Sequence, residues 1–173
     1  MPPEADELAA QLDDLAGGRS SALDELRELA RGVHPAVLAA GGLCPALKPL
    51  ARRSSVPVRL DVRVVERLAE PIEIAAYYVV SEALTNTAKH AKASHAEVIV
   101  REVDGTLHLT VSDDGVGGAH PQHVSGLIGL HDRVEALGGA VDVTSPPGEG
   151  TVIQVLLPVH PTDDPPRLPP RAG

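Results

Sequence analysis

The chain has 173 residues and a formal net charge of −9, a balance that counts against a nucleic-acid or anionic-membrane surface, since neither would be attracted to it. Aromatic residues make up 1% of it, two Tyr with no Trp or Phe, so single-stranded bases have no stacking platform and the core must come from Leu, Val, Ile and Ala. Cys44 is the single cysteine, which excludes an intramolecular disulfide and a cysteine zinc cluster, and no apolar run approaches a transmembrane span.

Residues 4–33 keep Leu8, Leu12, Leu15, Ala22, Leu26, Leu29 and Val33 on one helical face. That spacing predicts one long helix weakened at Gly17-Gly18, or two collinear pieces, ending at His34 because the residue before a proline is disfavoured in helix. Its apolar line has no companion helix in the chain and is read as an association surface. Leu43–Arg53 is predicted as a shorter apolar helix, constrained by Pro45 and Pro49. Strict alternation over 58–64 predicts a strand with one buried face. Pro71 suits a first helical turn, and a central helix is predicted from there to about Ala91. Residues 96–103 and 106–112 alternate around Asp104-Gly105 and form the strongest hairpin signal. After a Gly- and His-rich loop, 127–137 is helical and stopped by Gly138-Gly139, and 140–144 and 151–157 are strands joined by a Pro- and Gly-rich turn. Strands with mainly antiparallel neighbours and helices gathered on one face describe an α+β chain, a two-layer α/β sandwich. A doubly wound dinucleotide fold is disfavoured, because no strand runs into a G-x-G-x-x-G helix start.

Two motifs carry chemistry. Glu82, Asn86 and His90 recur every four residues, which on a regular helix makes one polar line along an otherwise apolar element. An acid, an amide and an imidazole are costly to set against a core, and a site for a metal and phosphates would explain them. Asp113-Asp114-Gly115-Val116-Gly117 supplies a carboxylate on glycine-spaced backbone. Together they read as a nucleotide pocket. Asp114 is read as solvated and idle, Cys44 as a core residue, His95 and His108 as structural, and His120 and His123 as lid surface.

With these motifs the chain resembles the C-terminal part of a bacterial sensor histidine kinase of the nitrate-sensor-like subfamily, built on the Bergerat ATP-binding fold that such kinases share with gyrase, MutL and chaperone ATPases. The elements are Glu82-x-x-x-Asn86-x-x-x-His90 (the N box), Asp113-x-Gly115-x-Gly117 (the first glycine box), Gly126-Leu127-Ile128-Gly129-Leu130 with Arg133-Val134-x-x-Leu137-Gly138-Gly139, and Gly148-x-Gly150-Thr151. Singly each is weak; in this order and at these spacings they are specific.

The resemblance implies roles residue by residue. Asn86 would hold Mg²⁺ through its amide oxygen, a hard ligand for a hard ion, and with Glu82 would be catalytic, Glu82 orienting the metal shell or polarising the acceptor. Asp113 would accept the adenine amino hydrogen, which guanine cannot donate at that edge. Gly115 and Gly117 would let the backbone pass close to the base. Gly126, Leu127, Gly129 and Leu130 would form the helix start that offers amides to the phosphates. Thr151 would add a hydroxyl beneath the nucleotide, and Lys89 and His90 would neutralise phosphate charge.

The implied activity is that of a protein histidine kinase using ATP and Mg²⁺, cytoplasmic, homodimeric in the full kinase, and passing phosphate through a phosphohistidine to a response regulator. Residues 1–40 would be a remnant of the second dimerisation helix, 41–158 the ATP-binding domain and 159–173 a disordered Pro-rich tail. The acceptor box of this family, His-Asp followed by a Gln, has no full match: His131-Asp132 imitates its start inside the second glycine box, and His34 belongs to a helix-ending motif. Little self-phosphorylation is therefore expected without a separate acceptor helix. Two alternatives stay open: a nucleotide-binding or dimerisation module without kinase activity, and an anti-sigma-factor serine kinase of the same fold. Leu29-Ala-Arg-Gly-Val-His34-Pro argues against the second.

Overall fold

The computed structural model describes residues 36–64, 66–119 and 125–160. The helix expected over 4–33 and most of the expected tail lie outside the described residues. Chain order is α1 (Ala36–Gly41), α2 (Leu43–Arg53), β1 (Val58–Arg63), α3 (Glu70–Asn86), β2 (Ala96–Val103), β3 (Thr106–Asp113), α4 (Ser125–Glu135), β4 (Ala140–Thr144) and β5 (Thr151–Pro158). The five strands form one sheet in the order β1-β2-β3-β5-β4.

β1 pairs with β2 in parallel, and the other three pairings are antiparallel. A parallel neighbour needs a long crossover, and α3 supplies it between β1 and β2. The α+β two-layer arrangement is thus present, with a mixed sheet. Alternation sets one face inward: Val98 and Val100 of β2, Leu107, Leu109 and Val111 of β3, and Ile153, Val155 and Leu157 of β5 are all buried. They pack with Ile72, Ala75, Ala76, Val79, Val80 and Ala83 of α3 in one core, joined by Leu130 and Val134 of α4. The guanidinium of Arg133 lies 4.8 Å from the centre of the Tyr78 ring, a cation–π contact that adds to the packing of α4 on α3.

Two boundaries differ from expectation. The compact unit starts at Ala36, and Leu38 is fully buried in its core. Val159, just past β5, packs against that core and donates its N–H to the Gly105 carbonyl of the β2–β3 turn at 2.8 Å, so it is anchored rather than opening a tail.

One buried charge braces the start of α3. Glu73 is 2% exposed and receives a two-pronged bond from Arg67, Nε to Oε1 and Nη2 to Oε2, each at 2.9 Å. The Leu68 N–H adds a third donor at 3.2 Å, and Arg67 also reaches the carbonyls of Leu38 and Ala39 at 3.4 Å. One ion pair therefore ties α1, the β1–α3 connection and α3 together.

Candidate nucleotide site

A cleft of about 190 Å³ opens between the C-terminal end of α3, the end of β3 and the start of β5. Ala83, Ala91, Val111 and Ile153 give it apolar walls; Asn86, Thr87, His90, Asp113 and Thr151 give it polar groups; Gly117, Gly118 and Ala119 line it from the loop after β3. Strand register explains the carboxylate. Asp113 is in phase with Leu107, Leu109 and Val111, so it extends the inward apolar row by one polar residue. Across the ladder Val111 pairs with Ile153 and Asp113 with Thr151, which sets both polar groups at the same end of the core face.

Asp113 is half-buried, with both oxygens held. Oδ1 accepts the Gly115 N–H at 2.9 Å, and Oδ2 lies 3.1 Å from the Thr87 hydroxyl. An ionised carboxylate has about four acceptor directions, so two such bonds leave capacity for a ligand N–H. Asn86 is also half-buried, but its side-chain amide makes no hydrogen bond among the described residues. An unpartnered amide at a cleft wall fits a hard-cation ligand, because Mg²⁺ keeps several waters and phosphate oxygens and asks few groups of the protein.

The central helix does not stay regular to Ala91. From Thr87 to Ala91 it widens into a π-helical turn that ends on left-handed Lys92, φ 50°. Thr85 and Thr87 bond back to the carbonyls of Ser81 and Ala83 at 2.7 and 3.0 Å, a pattern that bends helices, and the Ala91 carbonyl is taken by the Val116 N–H at 2.7 Å. The expected line of Glu82, Asn86 and His90 reaches the cleft only in part, and the widened turn is not what removes Glu82 from it. Asn86 and His90 line the cleft; Glu82 is half-buried one turn earlier and does not.

The glycines of the first box answer an internal need. A β-carbon at Gly115 would collide with the Ala91 carbonyl oxygen, and one at Gly117, whose φ is 62°, would collide with that of Pro146. The loop is thus pressed between the helix end at Ala91 and the β4–β5 turn. Only Gly117 of the two lines the cleft. Cross-bonds hold the loop: Gly118 N–H to the Ser145 carbonyl at 2.9 Å, Gly148 N–H to the Val116 carbonyl at 2.7 Å, and Ala119 N–H to Ser145 Oγ at 3.0 Å. Ser145 Oγ also lies 2.9 Å from Thr151 Oγ1, which orients the threonine that sequence reasoning placed in the site.

Asp114, expected to be idle, caps the turn before β2. It accepts the N–H groups of Ser94 and His95 at 2.8 and 3.0 Å and pairs with the Ser94 hydroxyl and, at 3.0 Å, with His95 Nδ1. The Ser94 hydroxyl, then the backbone donors and the nearby imidazole, hold its carboxyl well below the usual carboxylate range.

The remaining expected residues divide. Lys89 points away from the cleft, into a separate groove with Arg53, Ser54, Ser81 and Thr85. Leu130 is 7% exposed and belongs to the core, while Gly129 is exposed. Gly126 and Leu127 lie in the first turn of α4; the loop before it, 120–124, is outside the described residues. His131 is exposed on α4, 3.4 Å from Glu135 one turn on, as an ordinary surface pair. Thr87 and Ser145 were not singled out from sequence. Position next to Asn86 is the one signal that marks Thr87, and nothing in the sequence marks Ser145.

Known proteins share this fold. Residues 72–161 match the family described as histidine kinase-, DNA gyrase B-, and HSP90-like ATPase. The signal transduction histidine-protein kinase/phosphatase DegS of Brevibacillus brevis is 32% identical over 162 residues, covering 89% of this chain and 42% of the relative. The sensor histidine kinase NarS of Mycobacterium tuberculosis is 35% identical over 153 residues, covering 82% and 35%. The chain therefore spans less than half the length of these curated relatives. Among solved structures, the histidine kinase domain of the blue-light activated histidine kinase of Erythrobacter litoralis EL346 superposes with a TM-score of 0.55 at 25% identity, covering 66% of this chain and 56% of that one. The family match takes in α3 from Ile72 onward, the cleft and the whole sheet apart from β1, and the chain belongs to the histidine kinase-, gyrase B- and HSP90-like ATPase family.

Proposed function

We propose that the cleft binds ATP with Mg²⁺ and presents its γ-phosphate to a histidine carried by the dimerisation domain of a sensor kinase. The observation that carries this reading is the Asp113 carboxylate, fixed at both oxygens with acceptor capacity to spare, in the same apolar-walled cleft as an unpartnered Asn86 amide. Ala83, Ala91, Val111 and Ile153 suit the faces of a purine, and Asp113 takes its amino hydrogen. Asn86 is the residue that would hold Mg²⁺. Bound there, the ion would offset charge on the phosphates. His90 lies at the cleft wall, where an imidazolium would favour the phosphates; Lys89, in its own groove, is left out of this role.

In the proposed reaction an imidazole nitrogen attacks the γ-phosphorus in line, the bond to the β-phosphate oxygen breaks, and ADP leaves. This chain contributes position and charge more than covalent chemistry. Glu82, half-buried one turn before Asn86 and not among the residues lining the cleft, would orient the metal shell or polarise the acceptor. We further propose a homodimeric cytoplasmic kinase that phosphorylates a response regulator through its phosphohistidine. Among the described residues no helix is long and apolar enough to cross a membrane.

The test mixes this chain with γ-labelled ATP, Mg²⁺ and a separate dimerisation domain bearing the acceptor histidine. Acid-labile label is expected on the added domain and little on this chain. Strong labelling of this chain alone, lost on substituting His34 or His131, would overturn the assignment of the acceptor.

A further inference from the structure

We infer that Thr87 is a positioning residue that sets the Asp113 carboxylate for the 6-amino edge of a purine, an inference that rests on the nucleotide reading of the cleft. Thr87 is 3% exposed, yet it is among the residues lining the cleft. It stands 3.0 Å from the Ala83 carbonyl and 3.1 Å from Asp113 Oδ2, and a hydroxyl has a single hydrogen to give. Given to Asp113, that hydrogen holds Oδ2 from the helix while the Gly115 N–H holds Oδ1 from the loop at 2.9 Å. Pinned at both ends, the carboxylate cannot turn about its own bond, and its unused acceptor directions keep one aim.

A ligand N–H takes an acceptor direction of Asp113 that Thr87 and Gly115 leave free, so both of these bonds are kept in the bound state and the carboxylate is oriented before the ligand arrives. The backbone that carries the hydroxyl is itself held: the Thr87 N–H is shared between the carbonyls of Ala83 and Leu84 where the helix widens into its π turn. Thr87 thus selects for a ligand that donates a hydrogen at this point, a 6-aminopurine, by holding the acceptor ready.

Calorimetry of Thr87→Val with Mg²⁺ and two nucleotides tests this: ATP, and the triphosphate of unsubstituted purine riboside, which lacks the amino group. The valine keeps the shape and removes the hydroxyl. ATP affinity is expected to fall on the order of tenfold, as for a weakened bond to a charged group, with the purine triphosphate unchanged and Thr87→Ser restoring ATP binding. Equal weakening of both nucleotides with no recovery by serine would mean that Thr87 only fills space, and would overturn the inference. Should the valine variant fail to fold, Thr87→Ala is read the same way. Binding of neither nucleotide by the unaltered chain would remove the nucleotide reading itself, whereas ATP binding with an unaltered preference in the valine variant would sink this inference alone.

Discussion

Asp113 and Asn86 share a cleft but are held in opposite ways, and substitutions at them should separate base recognition from metal dependence. Asn86→Ala removes the free amide oxygen and is expected to abolish most of the Mg²⁺ response of ATP binding while sparing the fold. Asn86→Asp keeps an oxygen but adds a negative charge beside the phosphates, so phosphotransfer should fall more than binding does. An identical Mg²⁺ response in Asn86→Ala and the unaltered chain, measured by calorimetry, would remove Asn86 from the metal site. Asp114 supports a prediction of a different kind. Its folded carboxyl is held below the value near 3.9 of an unfolded chain, so its contribution is complete above that value and is lost as pH falls toward the folded one. The melting-temperature gap between the unaltered chain and Asp114→Asn should be level above about pH 5 and shrink as pH drops below about 4. A gap that is the same at both ends would mean that these hydrogen bonds contribute nothing. That Asp113 ends the inward row of β3 was seen only in the fold, but it was legible in the sequence because it opens a glycine-spaced acidic loop. Thr87 was not, since a change of helix pitch leaves no mark in residue spacing, and Asp114 was not, because its partners Ser94 and His95 are distant in the chain.

α3 is braced at its N-terminal end by the Arg67–Glu73 pair and is deformed at its C-terminal end where the cleft lies. The brace is asymmetric: the Glu73 side chain is 3% exposed and that of Arg67 is 54%. Removing Arg67 strands a carboxylate in the core, a loss expected to cost about 3–5 kcal/mol; removing Glu73 leaves a guanidinium that can turn to water and should cost less. Urea unfolding of Arg67→Met and Glu73→Gln compares them directly, and a greater loss in the glutamate variant would show that the pair is not held as described. Sequence pattern located α2, α3, both hairpin strands of β2 and β3, and α4 to within a few residues, because their apolar periods differ clearly. It did not reveal the brace, for an acid in a first helical turn ordinarily faces solvent and favours the helix dipole. The π turn was equally hidden, since it depends on side chains bonding back to the helix and on a loop amide arriving from Val116.

Across the whole molecule, antiparallel neighbours and helices on one face could be read from the order of elements, whereas the parallel β1–β2 pair could not, because alternation tells which face a strand buries and not which strand lies beside it. The glycine boxes were visible as spacings, and within the protein Gly115 and Gly117 let the loop after β3 pass against Ala91 and Pro146. These two facts join in the cleft: the sheet delivers Asp113 and Thr151 side by side, the crossover helix delivers Asn86 and Thr87, and the packed loop closes the side. In the proposed function this junction recognises adenine through Asp113. The most direct measurement is calorimetric titration of the chain with ATP and with GTP in Mg²⁺, repeated on Asp113→Asn. Micromolar ATP binding is expected, about −6 to −8 kcal/mol, with much weaker GTP binding and a loss of about 1.5–3 kcal/mol for ATP in the asparagine variant. Equal affinity for ATP and GTP, or an asparagine variant that binds ATP as the unaltered chain does, would contradict it.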